Sequence, residues 1–238
     1  MNRDELTLGN AKVVGLDGCS TGWIGAVLTS NGITVDYLSD LAEVDELCGP
    51  HATVGIDMPL VLAASGKRPA DEAAKRILGR RSSTIFLAPV KSALNAVTFE
   101  EANAANRIDG GFGLSRQSYG LLAKIREVQA WSAATSLSLY EIHPEIGFMD
   151  ILASEALPSK KTWAGVEMRR RALEQVGFLP IHVSTAAGRN AAPDDVLDAC
   201  VVAWVANEVA NNSGRALPTT YRKDSNGRAE AIWRVLPN

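Results

Sequence analysis

Three aspartates stand where aspartates are costly. Asp17 follows Val13-Val14-Gly15-Leu16, Asp57 follows Val54-Gly55-Ile56, and Asp198 is the only polar side chain in VLDACVVAWVA, residues 196–206. A buried carboxylate is expensive unless it is paired, hydrogen-bonded or bound to a metal. Three brought together repel, and their pKa values rise unless a divalent cation neutralises them. A ligand set made only of oxygen favours Mg2+ or Mn2+. Plainer readings stand beside this one. Asp17-Gly18 is a common turn pair, and Asp57 before Met58-Pro59 could simply end a strand. Asp194 and Asp195, just after Pro193, suit a helix start and its dipole. Asp198 lies a turn deeper, on the face shared with Asp194 and Asp195, where capping does not explain it.

Other groups could serve the same chemistry. Glu145 follows Pro144 in LYEIHPEIGF, residues 139–148, which reads as a strand. Alternation there places Glu141, His143 and Glu145 on one face. Glu145 is then a further metal ligand, a base that orients water, or one residue of a solvated strand edge. Phosphate substrates need cations, and two basic clusters offer them. The first is Lys67, Arg68, Lys75, Arg76, Arg80, Arg81 and Lys91; the second is Lys160, Lys161 and Arg169–Arg171. The first is favoured because it follows the Asp57 strand closely, which makes Arg68, Arg76, Arg80 and Arg81 the candidate substrate-binding residues. Arg76 and Arg80 can share a helical face. Both clusters also read as solvated helix faces.

The elements that must position these residues are legible in outline. Lys12–Gly18, Trp23–Thr29 and Ile33–Leu38 read as an antiparallel meander broken by short polar turns. Asp40 can cap a helix over Leu41–Cys48, stopped by Gly49-Pro50, and Ala52–Asp57 is a fourth strand. A mostly helical stretch follows, with segments at Ala70–Arg80, Thr98–Asn106 and Gln117–Ala134. After the fifth strand come helices over Trp163–Val176 and Asp194–Ala210, and a short strand or packed tail within Ala229–Leu236. Crossovers of this kind give a mixed α/β sheet covered by helices. The 238 residues suit a single domain, residues 1–238, with a helical insert at about 66–135.

Composition limits the function classes. Twenty-four basic residues against 27 acidic ones give a net charge of −3. A dedicated non-specific nucleic-acid binder is usually basic overall, although a local basic groove remains compatible with this balance. Cys19, Cys48 and Cys200 form no CxxC pair, which argues against a disulfide scaffold and a cysteine-rich zinc site. The polar, acidic opening MNRDELTLGN does not read as a signal peptide. The longest apolar run, Ala199–Ala206, is too short to span a bilayer. These features predict a cytoplasmic protein without a membrane partner.

The ordered set GLDGCSTGW (15–23), GIDMPL (55–60), YEIHPEIGF (140–148) and DDVLDACVVAW (194–204) resembles the DUF429 family, described as predicted ribonuclease H-like nucleases. Arg68 and Asp71 with Arg76 and Arg81, the segment Ser82–Phe86, and the stretch Gly227–Pro237 add to the resemblance. It implies a ribonuclease H-like sheet of five strands, three antiparallel and then two parallel, flanked by helices. The first and fourth strands would sit side by side, each supplying an acid, while a late helix lays its own acids across their ends. Asp17, Asp57 and Asp198 match those positions. Asp195 is also available as a metal ligand, since Asp195 and Asp198 repeat the three-residue spacing of the Holliday-junction resolvase branch. The activity implied is a nuclease with two ions about 4 Å apart. Asp17 would be the shared ligand, Asp57 and Asp198 would each complete one shell, and Glu145 or Asp195 would support them. The partner implied is DNA or RNA; the sequence leaves a homodimer open. An isoelectric point near 5.7 departs from most nucleases of this fold. Two rival readings are an actin-like nucleotide-binding phosphotransferase, from Asp17-Gly18-Cys19-Ser20-Thr21-Gly22, and a non-catalytic adaptor on the same scaffold.

Overall fold

The computed structural model describes residues 11–29, 31–154 and 157–236; the N-terminal decapeptide read above for a signal lies outside them. The chain divides into two compact units. The first takes the described residues up to Met58, Thr135–Arg215 and those from Trp233 onward. The second takes Pro59–Ala134 and Ala216–Ile232.

The first unit opens with β1 (Ala11–Gly18), β2 (Trp23–Thr29) and β3 (Gly32–Leu38), the expected antiparallel meander. Helix α1 (Ala42–Leu47) starts where Asp40 Oδ1 accepts the Ala42 amide at 2.8 Å. Strand β4 (Cys48–Ile56) begins at once and runs parallel to β1. Gly49-Pro50, expected to stop the helix, therefore lies inside the strand. The pairing is irregular there and His51 takes a φ of +67°, so the missing amide hydrogen of Pro50 falls in a bulge.

The second unit is helical. It contains α2 (Pro69–Leu78), α3 (Phe99–Ala105), α4 (Arg116–Gly120) and α5 (Leu122–Ala134). Thr98 and Glu101 close a capping box on α3. Ala102, Leu114 and Leu122 form a small apolar core with Leu94, Ala96 and Tyr119.

The chain returns to the first unit through β5 (Ser138–Ile142), parallel to β4. The expected strand over 139–148 is corrected here. It ends at Ile142, and Pro144–Leu152 form a helix, α6. Proline at the first helical position favours that start. Because Pro144–Ile151 are all buried, no amphipathic period betrays the helix. Then follow α7 (Trp163–Gln175), β6 (Ile181–Val183), α8 (Thr185–Asn190), α9 (Pro193–Ala210), β7 (Gly214–Leu217) and β8 (Ile232–Val235).

The sheet has eight strands in the order β6-β3-β2-β1-β4-β5-β8-β7, not five. The two additional strands that the sequence does not signal, β6 and β7, have three and four residues, too few to show alternation. The class is mixed α/β, and the run β3-β2-β1-β4-β5 is antiparallel through β1 and parallel beyond it. Among the described residues, no helix is long and apolar enough to cross a membrane.

One close contact fixes the rest of this unit. Gly15 of β1 and Gly55 of β4 are paired neighbours in register, and α9 lies directly upon them. A Cβ at Gly15 would meet Ala203 N at 2.2 Å and Ala199 O at 2.3 Å; one at Gly55 would meet Ile142 Cδ1 at 2.5 Å and Val202 O at 3.0 Å. Backbone cannot yield to such an overlap without moving the helix. Gly15→Ala is therefore expected to destabilise the protein by about 3 kcal/mol in chemical denaturation. Gly188→Ala on α8, where a Cβ meets nothing within 4 Å, should change stability little. Equal stability of the two variants would contradict the packing described.

Candidate functional site

Alternation places Val13, Gly15 and Asp17 on one face of β1, the face that α9 covers. Leu16 pairs with Ile56, and the Asp57 amide donates to Leu16 O at 3.0 Å. Asp17 and Asp57 thus occupy equivalent positions at the ends of adjacent parallel strands. Because α9 sits so low on the two glycines, Asp198, one turn before Val202, is carried to the same place. Asp17 and Asp198 are buried and Asp57 is half-buried.

Electrostatics confirm that the three carboxylates feel one another. Burial, then Asp198, then Asp57 raise the pKa of Asp17 well above the usual carboxylate range. Burial followed by Asp198 pushes Asp57 up to about 8, with Glu141 and Glu145 adding to the rise. Burial pushes Asp198 up to about 6, even though Lys160 acts the other way. Among the described residues, no hydrogen bond reaches the carboxylates of Asp17 and Asp57. Asp198 Oδ1 is buried without a hydrogen-bond partner.

Lys160 is the counter-charge. Its Nζ lies 2.5 Å from Asp198 Oδ2 and 3.5 Å from Asp194 Oδ2. Burial alone would lower its pKa, but Asp198, Asp17 and Asp194 outweigh that and raise it. Lys161 Nζ lies 2.6 Å from Asp194 Oδ2. The partner of Asp198 on this face is thus Asp194, four residues earlier. Asp195 turns away to accept the Ala192 amide at 2.9 Å, closing the first turn of α9, although its charge still contributes to the rise at Asp17.

Glu145, at the start of α6, receives two hydrogen bonds from Arg169 Nη2, at 2.8 and 3.0 Å. Arg169 is fully buried and also donates to Pro158 O at 3.0 Å and Gly165 O at 3.1 Å. The second basic cluster therefore divides. Arg169 is internal, Arg170 and Arg171 pair with Glu167, and Lys160 and Lys161 face the acids. The first cluster belongs to the second unit. There Arg68 is buried against Asp71 at 3.2 Å, and Asp71 Oδ2 accepts the Ala88 amide at 2.8 Å. Arg76 and Arg80 are exposed and Arg81 is half-buried.

The donor set suits a divalent cation in kind: hard oxygens, surplus negative charge and an unpartnered buried oxygen. It is looser than a finished coordination shell. Among the described residues, no three His, Cys, Asp or Glu side chains gather tightly enough to hold a metal. Lys160 and Asp194 are the members that motif spacing does not single out. Asp194 reads as a cap, and Lys160 reads as one cation among five in its cluster.

Two outcomes follow. Asp57 must ionise in place as pH rises from about 4 to about 8, so its raised pKa costs stability across that window. In EDTA, Asp57→Asn should exceed the wild type by on the order of 1 kcal/mol above pH 8, a gain that vanishes by about pH 4. Parallel pH profiles in urea denaturation would contradict this. Glu145→Gln leaves the Arg169 charge buried and half-paired, and should cost about 3 kcal/mol in the same assay; unchanged stability would show the pair to be dispensable.

The family described as "Protein of unknown function (DUF429)" matches residues 15–222. No curated protein and no solved structure matches the chain. The matched span begins just before Asp17, runs past Asp57, Glu145, Lys160 and Asp198, and covers most of both units. The chain belongs to the DUF429 family.

Proposed function

We propose that this protein is a divalent-metal-dependent phosphodiester hydrolase acting on nucleic acid in the cytoplasm, built on a ribonuclease H-like core. The observation that carries the reading is the convergence of Asp17, Asp57 and Asp198, three carboxylates whose burial raises every pKa, with Asp198 adding to the rise at both Asp17 and Asp57. A fold gains no stability from such an arrangement, and strain of this kind is characteristic of functional sites. The strand run β3-β2-β1-β4-β5, three antiparallel and then two parallel, agrees with the expected core.

Asp17 and Asp57 would hold the cation together with Asp198, whose Oδ1 is buried without a hydrogen-bond partner. Bound there, Mg2+ or Mn2+ would polarise the phosphodiester and lower the pKa of a water molecule. The remaining work belongs to the chain itself. Lys160 and Lys161 bring positive charge beside the acids, which an anionic substrate needs in a protein of net charge −3. Trp163, 81% exposed and two residues beyond Lys161, offers an aromatic face to a base. The Lys160–Asp198 ion pair also favours a second reading, a non-catalytic adaptor in which the lysine serves only to neutralise the acid.

Calorimetry with Mn2+ and Mg2+, followed by a panel of DNA and RNA substrates, separates these. The wild type should bind metal and cleave. Asp17→Asn and Asp198→Asn should lose both with folding intact, the rate falling at least ~10³-fold. Absence of metal binding and cleavage in the wild type would leave the adaptor. Tight ATP binding without cleavage would point to the phosphotransferase.

A further inference from the structure

We propose that the second unit is a nucleic-acid-binding module that grips the phosphate backbone through exposed cations, Arg76 and Arg80 among them, without a metal ion. The choice of partner rests on the phosphodiester reading above. The binding itself needs none of the acids of the first unit.

The first support is how charge is divided along the chain. Residues 59–134 and 216–232, which make up the second unit, carry 14 Lys and Arg against eight Asp and Glu, a net charge of +6. The rest of the chain carries ten against 19, a net charge of −9. A surface built only for solubility intersperses the two signs. A concentrated positive field instead draws a polyanion. The acidic balance that sets the whole chain apart from basic nucleic-acid binders therefore belongs to the first unit alone.

The second support is which charges the unit uses for its own structure. Its acids are largely engaged within it. Asp71 is buried against Arg68. Glu101 Oε2 accepts the Val97 and Thr98 amides at 2.9 and 3.1 Å, and Asp109 Oδ2 accepts the Ser92 hydroxyl at 2.5 Å. Asp224 Oδ1 accepts the Asn226 and Arg228 amides at 2.9 and 2.8 Å. The cations are not used in this way. Lys67, Arg76, Arg80 and Lys91 in the first stretch, and Arg222 and Lys223 in the second, are exposed, and none has a carboxylate partner among the described residues. The acids hold turns and caps; these six cations hold nothing in the unit and are left for a partner.

The third support is local. Helix α2 buries its alanines and Leu78 and leaves Arg76 exposed, while Arg80 follows four residues later in the turn Gly79–Thr84. A guanidinium presents a fork of donors that matches two oxygens of one phosphate. Arg68, expected to bind substrate with them, is excluded by its burial.

The test is fluorescence anisotropy of short labelled single strands of DNA and of RNA, titrated with the whole protein in EDTA at several salt concentrations. Labelled polyglutamate serves as a polyanion without phosphate. At least one strand should bind, more tightly than polyglutamate, with an affinity that falls as salt rises; the tighter strand identifies the polymer recognised. Arg76→Gln with Arg80→Gln should flatten the plot of log affinity against log salt by about 1.4, at about 0.7 per lost phosphate contact. Arg170→Gln with Arg171→Gln, two cations of the first unit already paired with Glu167, should leave that slope unchanged. No binding of either strand, equal binding of polyglutamate, or a slope insensitive to Arg76 and Arg80 would overturn the inference. Strand binding in EDTA by a protein that neither takes up metal nor cleaves would sustain the inference and remove the hydrolase reading. Cleavage with Mn2+ by a protein that binds no strand in EDTA would do the reverse.

Discussion

The site depends on how closely α9 approaches the sheet. Gly15 and Gly55 lie side by side on β1 and β4; the backbone of α9 rests directly on Gly15, and Val202 of α9 closes on Gly55 together with the Ile142 side chain. That approach has two consequences. It packs the apolar length of α9, fully buried from Leu197 to Ala206, against the sheet as the core of the first unit. It also fixes the height and register of the helix, and so sets Asp198 against Asp17 and Asp57. Packing and site therefore share one cause. The large hydrophobic gain of α9 opposes the repulsion among the acids, which would otherwise drive the helix and the strand ends apart.

Around that contact runs a second chain of support. Glu145 from α6 holds Arg169 of α7, and Arg169 holds the turn from which Lys160 reaches Asp198. At the far end of α6, Asp150 binds the Arg234 guanidinium and accepts the Val235 amide at 3.2 Å, tying β8 to the same helix. The Asp150 carboxyl stays raised, to about 6, because its burial outweighs Arg234. Buried ion pairs of this kind add little net stability over an apolar replacement, but a lost partner is costly. Their effect here is geometric: they hold irregular chain in a single arrangement beside the acids.

The sequence makes these features legible to different degrees. The meander, α9 and the trio of acids show plainly, because each breaks a strong local pattern: an acid closes an apolar strand or interrupts an apolar helix. Glycines 15 and 55 sit in those same motifs, but nothing local says that a helix rests on them. Helix α6 is hidden because it is buried all round, and β6 and β7 because three or four residues carry no period. Glu145 stands out as an acid, yet its partner is 24 residues away on another helix. Asp194 and Asp195 look equivalent in sequence. Helical rotation alone separates them, turning one toward Lys160 and the other back to its own first turn.

On the proposed reading, Asp17, Asp57 and Asp198 form one cation site, placed by the close approach of α9 to Gly15 and Gly55. A crystal of the protein grown with Mn2+, with data collected at the manganese absorption edge, tests it most directly. Manganese at this site gives an anomalous peak within coordination distance of the Asp17, Asp57 and Asp198 carboxylates. A map without a peak at these acids at saturating Mn2+, or with manganese bound only elsewhere on the molecule, would contradict it.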